Sequence, residues 1–158
     1  MKTLAEILIQ YGLVSISQID EAMRFQSHET KKLCDVLIEI GYLTRRNLSF
    51  ALSAQAGLPF QEEIRTEEIY NDIVYILPEY YLAYHNIIPL YPVKDTNAIR
   101  LALSYPFNLN PVDDVQILTN RDIEVVIVPE EEINESLKLL ADQRAAGAEG
   151  LFIIGIGS

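Results

Sequence analysis

The sequence is short of the residues that build covalent frameworks and metal centres. Its 158 residues include a single cysteine, Cys34, so an internal disulfide and a cysteine-built zinc site are both excluded. The two histidines, His28 and His85, lie far apart and give no ligand pair of familiar spacing. No Gly-x-x-x-x-Gly-Lys-Ser/Thr loop occurs, so this chain is not itself a P-loop ATPase. No apolar run reaches the roughly eighteen residues of a membrane span. The start, Met1-Lys2-Thr3-Leu4-Ala5-Glu6, lacks a signal-peptide layout, and no direct membrane insertion is expected. Positive charge is scarce, with 12 Lys and Arg against 23 Asp and Glu and a net charge of -11, which disfavours nucleic acid and anionic membranes as partners. Hydrophobic residues make up 49% and charged residues 22%, enough apolar material for a core. The length suits one ordinary domain or two small ones. A cytoplasmic binding or regulatory protein is expected more than an enzyme, and no cofactor is required.

The charge is unevenly placed. Residues 1–56 hold six basic and six acidic residues, a balance of zero, so residues 57–158 carry the whole excess of -11. Such acidity serves solubility. It also leaves the first part better suited to an anionic ligand or partner.

That first part contains an internal repeat. Residues 3–26 and 32–55 align at an offset of 29 and share Leu4/Leu33, Leu8/Leu37, Ile9/Ile38, Gly12/Gly41, Ala22/Ala51 and Gln26/Gln55. A repeat of this kind indicates duplication of one supersecondary unit. Each copy reads as helix, turn, helix. Leu4, Ile7 and Leu8 mark one helical face, and Gly12 suits a left-handed C-cap. Ser15 and Gln18 form a capping-box pattern before the stripe Ile19, Ala22, Met23 and Gln26. The second copy repeats this with Leu33, Val36, Leu37, Gly41 and a Thr44 cap, then Leu48, Ala51, Leu52 and Gln55. Leu8, Leu37, Ala22 and Ala51 are expected in the core. The two glutamines end otherwise apolar stripes; their amides suit a bond across the unit, a backbone cap or a ligand.

Beyond residue 57 the pattern predicts a small mixed α/β unit over 58–146, so the fold class is α+β. Residues 70–84 read as two short helices, with Pro78 in the first turn of the second. Residues 87–93 read as a strand whose two prolines argue for an edge or an irregular course. With 98–103 it forms a hairpin. Asn110-Pro111 opens a helix to about Leu118, residues 123–128 form a strand, and Glu130-Glu131-Glu132 opens a last helix ending near Ala146. Residues 147–158 read as a linker or a strand. Tyr80, Tyr81 and Tyr84 read as packing. Asp113 and Asp114 are adjacent on a helix and point apart, a poor acid/base pair. Cys34 sits in an apolar stripe with no base nearby, a poor nucleophile.

The repeat with Leu at its second position, Gly at its tenth and Gln at its twenty-fourth resembles the N-terminal domain of type II secretion and type IV pilus assembly ATPases. Gly57-Leu58-Pro59-Phe60, Ile88-Pro89-Leu90, Arg100-Leu101-Ala102-Leu103, Val112-Asp113-Asp114-Val115 and Leu118-Thr119 add to the resemblance. It covers residues 3–141. It implies a non-catalytic docking and regulatory domain, ahead of an ATPase core in the cytoplasm and peripheral to the inner membrane through platform proteins. The alternative it implies is a receptor for cyclic di-GMP. One branch binds that messenger through two such repeats, each beginning Arg-Leu-Gly. By this resemblance Leu4, Ile19, Met23, Leu33, Leu48 and Leu52 supply apolar contacts, Gln26 and Gln55 the amides, Lys32 a cation and Asp35 an acid. The starts depart from the pattern: Thr3 and Lys32 stand in place of arginine, Ala5 and Cys34 in place of glycine, and Ser104-Tyr105-Pro106 where an Asp-Pro pair is common.

Overall fold

In the computed structural model the described residues are 2–26, 32–106 and 109–157, with side chains through 147. His28 lies outside them. The duplicated part forms four helices: α1 (Leu4–Gln10), α2 (Ile16–Gln26), α3 (Leu33–Glu39) and α4 (Arg45–Ala56). The repeat is reproduced bond for bond at the turns. After α1, Gly12 N–H donates to Ile9 O at 3.0 Å and Leu13 N–H to Leu8 O at 2.9 Å; after α3, Gly41 N–H donates to Ile38 O at 3.1 Å and Tyr42 N–H to Leu37 O at 2.9 Å. This is the Schellman pattern, and it needs a left-handed residue. Gly12 and Gly41 supply it with φ of 69° and 87°. The predicted caps form as well. Ser15 Oγ accepts from Gln18 N–H at 3.1 Å while Gln18 Oε1 accepts from Ser15 N–H at 2.9 Å. Thr44 Oγ1 accepts from Asn47 N–H at 3.1 Å.

Helix α1 packs on α4 and α2 on α3, so each copy's first helix meets the other copy's second. Five equivalent pairs fill the shared core: Ile7/Val36, Leu8/Leu37, Val14/Leu43, Ile19/Leu48 and Ala22/Ala51 are all buried. The sixth pair breaks the symmetry. Leu52 is 3% exposed, its counterpart Met23 49%. Tyr42 Oη donates to Glu21 Oε2 at 2.6 Å, joining the second turn to α2.

The rest of the chain has its own apolar cluster. Two short helices, α5 (Asn71–Ile76) and α6 (Glu79–His85), precede β1 (Ile87–Leu90) and β2 (Ile99–Leu103). Then come α7 (Asn110–Thr119), β3 (Ile123–Ile127) and α8 (Glu130–Gly157). The sheet order is β1-β2-β3. β1 and β2 pair antiparallel with Ile87 opposite Leu103, and β2 and β3 pair parallel with Ile99 opposite Ile123, across the α7 connection. Pro89 lies in the edge strand, as its missing N–H requires. Its carbonyl accepts from Tyr70 N–H at 3.0 Å, so a neighbouring segment covers that edge.

Several boundaries differ from expectation. The first strand stops at Leu90 instead of continuing to residue 93: Tyr91 donates its N–H to Glu68 O and accepts from the Arg100 side chain, and Pro92 has no N–H to give the ladder. Pro78 is the N-cap of α6, one position before its first turn. Phe60 pairs with Ile127 as an isolated parallel bridge, a contact between distant segments that no local pattern announces. The last helix continues past Ala146 to Gly157, so these residues are helical and not a strand. A glycine within a helix costs only about 1 kcal/mol relative to alanine, and alanines flank Gly147 on both sides.

Two side-chain networks have no local sequence signal. Arg100 sits in the central strand, nearly buried. It donates to Tyr91 O at 2.7 Å and Gln61 Oε1 at 2.8 Å and lies 3.6 Å from Glu68. A guanidinium is tolerated there because these acceptors replace its water. Arg46 of α4 reaches Glu131 at 2.8 Å and Glu132 at 3.5 Å in the first turn of α8, and donates to Glu62 O at 3.0 Å. Phe50 of α4 meets Phe60 edge-on at 5.5 Å. The Arg46 ion pairs clasp α4 to the start of α8, and Glu62 and Phe60 tie it to the segment that follows α4.

Candidate functional site

The packing of α1 on α4 and α2 on α3 brings the starts of the two first helices to one groove of about 270 Å³. Leu4, Ala5 and Leu8 of α1 form one wall, and Lys32 with Leu33, Cys34 and Leu37 of α3 the other. Leu52 and Gln55 of α4 close it. The lining is mostly apolar, with one ammonium, one amide and one thiol. A flat apolar ring system with an attached anion matches that set of groups.

The placement of the predicted site residues is uneven. Leu4, Lys32, Leu33, Leu52 and Gln55 come together in the groove. Ile19 and Leu48 are buried in the core and Met23 is exposed, and none of the three lines the groove. Asp35 lines a separate hollow with Ile38, Glu39 and Arg45. Gln26 ends α2, the helix that packs on α3, and is half-buried without lining the groove. The Gln55 amide takes the cross-repeat option, donating to Lys2 O at 3.4 Å. Leu8 and Leu37, read from the sequence as core alone, also present an edge to the groove.

The altered starts differ in what they do locally. Thr3 is the N-cap of α1, its Oγ1 accepting from Glu6 N–H at 3.2 Å. Lys32 holds the N-cap position of α3 with no side-chain cap bond. Ala5 and Cys34 each place a Cβ on the groove wall. Burial pushes the Cys34 thiol above its ordinary range, helped by the neighbouring Asp35 carboxylate and opposed by Lys32. A raised pKa means less thiolate at a given pH, and thiolate is the species that alkylates. Iodoacetamide is therefore expected to modify Cys34 more slowly at neutral pH than in the urea-unfolded chain. Equal rates by mass spectrometry would contradict the burial.

A larger open dish, lined by Gln61, Glu62, Glu63, Arg65 and Glu68, sets three carboxylates against one guanidinium and repels anions. Among the described residues no group of His, Cys, Asp and Glu is placed to hold a metal ion. Among them, too, no helix is long and apolar enough to cross a membrane.

The family model for the MshEN domain matches residues 56–147, more than half the chain. The chain belongs to the MshEN family. The MshEN domain is non-catalytic and distinct from the ATPase core of the secretion and pilus ATPases that carry it. The type IV pilus assembly ATPase PilB of Myxococcus xanthus (strain DK1622) is 24% identical over 148 residues, 94% of this chain. The chain spans about a quarter (26%) of that relative's length. A solved structure of MshE with cdg, that is cyclic di-GMP, is 26% identical with a TM-score of 0.65, covering 87% of this chain and 98% of that one. The N-terminal domain of XpsE covers 87% and 97% with a TM-score of 0.54 at 14% identity, a likeness of fold alone. The MshE likeness covers more than the residues after 56 can supply, so it takes in part of the repeats that the family match leaves out.

Proposed function

We propose that the groove between the two repeats takes cyclic di-GMP, making this MshEN domain a messenger-responsive part of a secretion or pilus ATPase. The observation that carries the reading is the convergence of both repeat starts and Gln55 on one mostly apolar groove. The likeness to MshE, solved with cyclic di-GMP, supports it. Leu4, Leu33 and Leu52 offer apolar surface to a guanine face. Gln55 offers an amide to a base edge, with Gln26 its counterpart at the end of α2. Lys32 offers a cation, the one among the described residues that line the groove. Because Thr3 brings no charge and lysine lacks the guanidinium fork, binding is weaker than two arginine starts would give.

Calorimetry tests this directly. Lys32→Ala removes a charge-assisted contact of about 1.5–3 kcal/mol, a loss of roughly tenfold or more in affinity. Gln55→Ala is expected to weaken binding less, and cyclic di-GMP to slow alkylation of Cys34 further. No heat at millimolar ligand, or unchanged affinity in both variants, would sink the groove as the site.

A second reading is docking, onto the ATPase core and onto inner-membrane platform proteins. It is favoured by large apolar side chains left exposed on α5, α6 and α7, away from the groove. Binding assays against cytoplasmic segments of platform proteins encoded beside the gene test it, and failure against all of them, in isolation and fused to the ATPase, counts against it.

A further inference from the structure

Helices α5 and α6 bury one side and leave the other conspicuously apolar. Ile73, Val74, Leu77 and Leu82 face the core. On the opposite side Tyr75 and Ile76 are more than half exposed, and Tyr80 and Tyr84 are 76% and 83% exposed. Tyr80 and Tyr84 are four residues apart, so they stack on one helical face. A merely solvated face carries charged and polar residues there. Four large side chains within ten residues make a patch, and tyrosine is the residue type that anchors interfaces.

The rim has a sign. Asp72 and Glu79 flank the patch within its own helices. Tyr81 Oη donates to Asp114 Oδ2 at 2.6 Å, which fixes the acidic first turns of α7, with Asp113, beside α6. Beyond them Ile117 and Leu118 of α7 are exposed. One cation of the chain already sits at the edge and shows how another is received. Arg144 of α8 lies over the Tyr75 ring at 5.8 Å, 3.8 Å from Glu79, and donates to Val74 O at 2.9 Å. A tyrosine face beside a carboxylate is a receptor for a guanidinium or ammonium.

We infer that the α5–α6 tyrosine face, with its acidic rim, docks a basic amphipathic helix of a partner protein. Apolar side chains of that helix cover Tyr80 and Tyr84, and its lysines or arginines meet Asp72, Glu79 and Asp113. The acidic rim disfavours an anionic membrane surface and a second copy of this chain, whose matching face carries the same charge. The inference specifies the second reading above by partner chemistry and place, and needs no cyclic di-GMP.

The test titrates the isotope-labelled chain with a synthetic amphipathic helix of leucine and lysine, and with a twin carrying glutamate for lysine, by NMR. Shifts are expected at residues 71–85 and in α7 with the lysine helix alone, weakening as salt rises. Tyr80→Ser with Tyr84→Ser is expected to lower its affinity about tenfold or more without changing the melting temperature. Asp113→Lys is expected to weaken the lysine helix and improve the glutamate twin. Equal binding of both peptides, shifts centred elsewhere, unchanged affinity in the tyrosine variant, or self-association through the patch would each overturn the inference. If platform segments still bound in that case, this surface would be wrong while docking stood.

Discussion

Leu37→Ala is expected to destabilise the chain by about 2–5 kcal/mol, and Leu8→Ala by a similar amount. Both side chains are buried at equivalent positions of the repeat, and nothing nearby replaces the lost volume. Both also edge the groove, so each truncation enlarges it. The double variant is expected to depart from additivity because the two belong to one apolar cluster. The broken sixth pair supplies the contrast. Leu52→Ala is expected in the same 2–5 kcal/mol range, whereas Met23→Ala, on an exposed side chain, should stay within about 0.5 kcal/mol. Urea unfolding followed by circular dichroism reads all of these. A Met23 effect as large as that of Leu52 would show that the copies are energetically alike and that the placement of α2 is wrong.

Rebuilding both starts as Arg-Leu-Gly, by Thr3→Arg, Ala5→Gly, Lys32→Arg and Cys34→Gly, is expected to tighten cyclic di-GMP binding roughly tenfold or more. Thr3→Arg adds one charge-assisted contact of about 1.5 kcal/mol or more, near tenfold in affinity, while Lys32→Arg keeps the charge and adds the planar fork. Removing two Cβ atoms from the wall lets a base approach the backbone more closely. Stability moves the other way. Loss of the Thr3 cap costs about 0.5–2 kcal/mol, and each glycine in a first helical turn roughly 0.5–1 kcal/mol. The rebuilt chain should therefore bind tighter and melt lower. Calorimetry and a thermal melt on one sample decide it; unchanged affinity would mean that the groove is not where this ligand binds.

Much of the helical part was legible because its determinants are local. The Ser15–Gln18 box, the Thr44 cap and the two glycines each act within a few residues, and each appears as a specific bond. The buried pairs follow from periodicity, since a 3.6-residue repeat fixes which face turns inward. Met23 escaped because its exposure depends on how α2 lies against α3, which spacing does not encode. Only half of the inferred contact set lines the groove for the same reason: Asp35 shares α3 with Leu33 but lines another hollow, and neither Met23 nor Gln26, both on α2, is among the lining residues. Arg100 was unreadable, because its acceptors come from residues 61, 68 and 91. The Arg46 contacts likewise join residues 85 and 86 positions apart. The tyrosines of α6 were expected to pack, and Tyr81 does approach Asp114 and His85. Tyr80 and Tyr84 turn outward, since a seven-residue helix has only one inward face and Leu82 occupies it.

Because each copy lays its first helix on the other copy's second, neither hairpin closes over its own apolar stripe. An isolated copy would meet water along that stripe and could shield it only by embracing a twin. Tandem duplication therefore ties into one strand of polypeptide what a lone ancestor could have achieved only as a symmetric dimer. Once tethered, the halves were released from identity, and the divergence of Thr3 from Lys32 and of Met23 from Leu52 is the mark of that freedom.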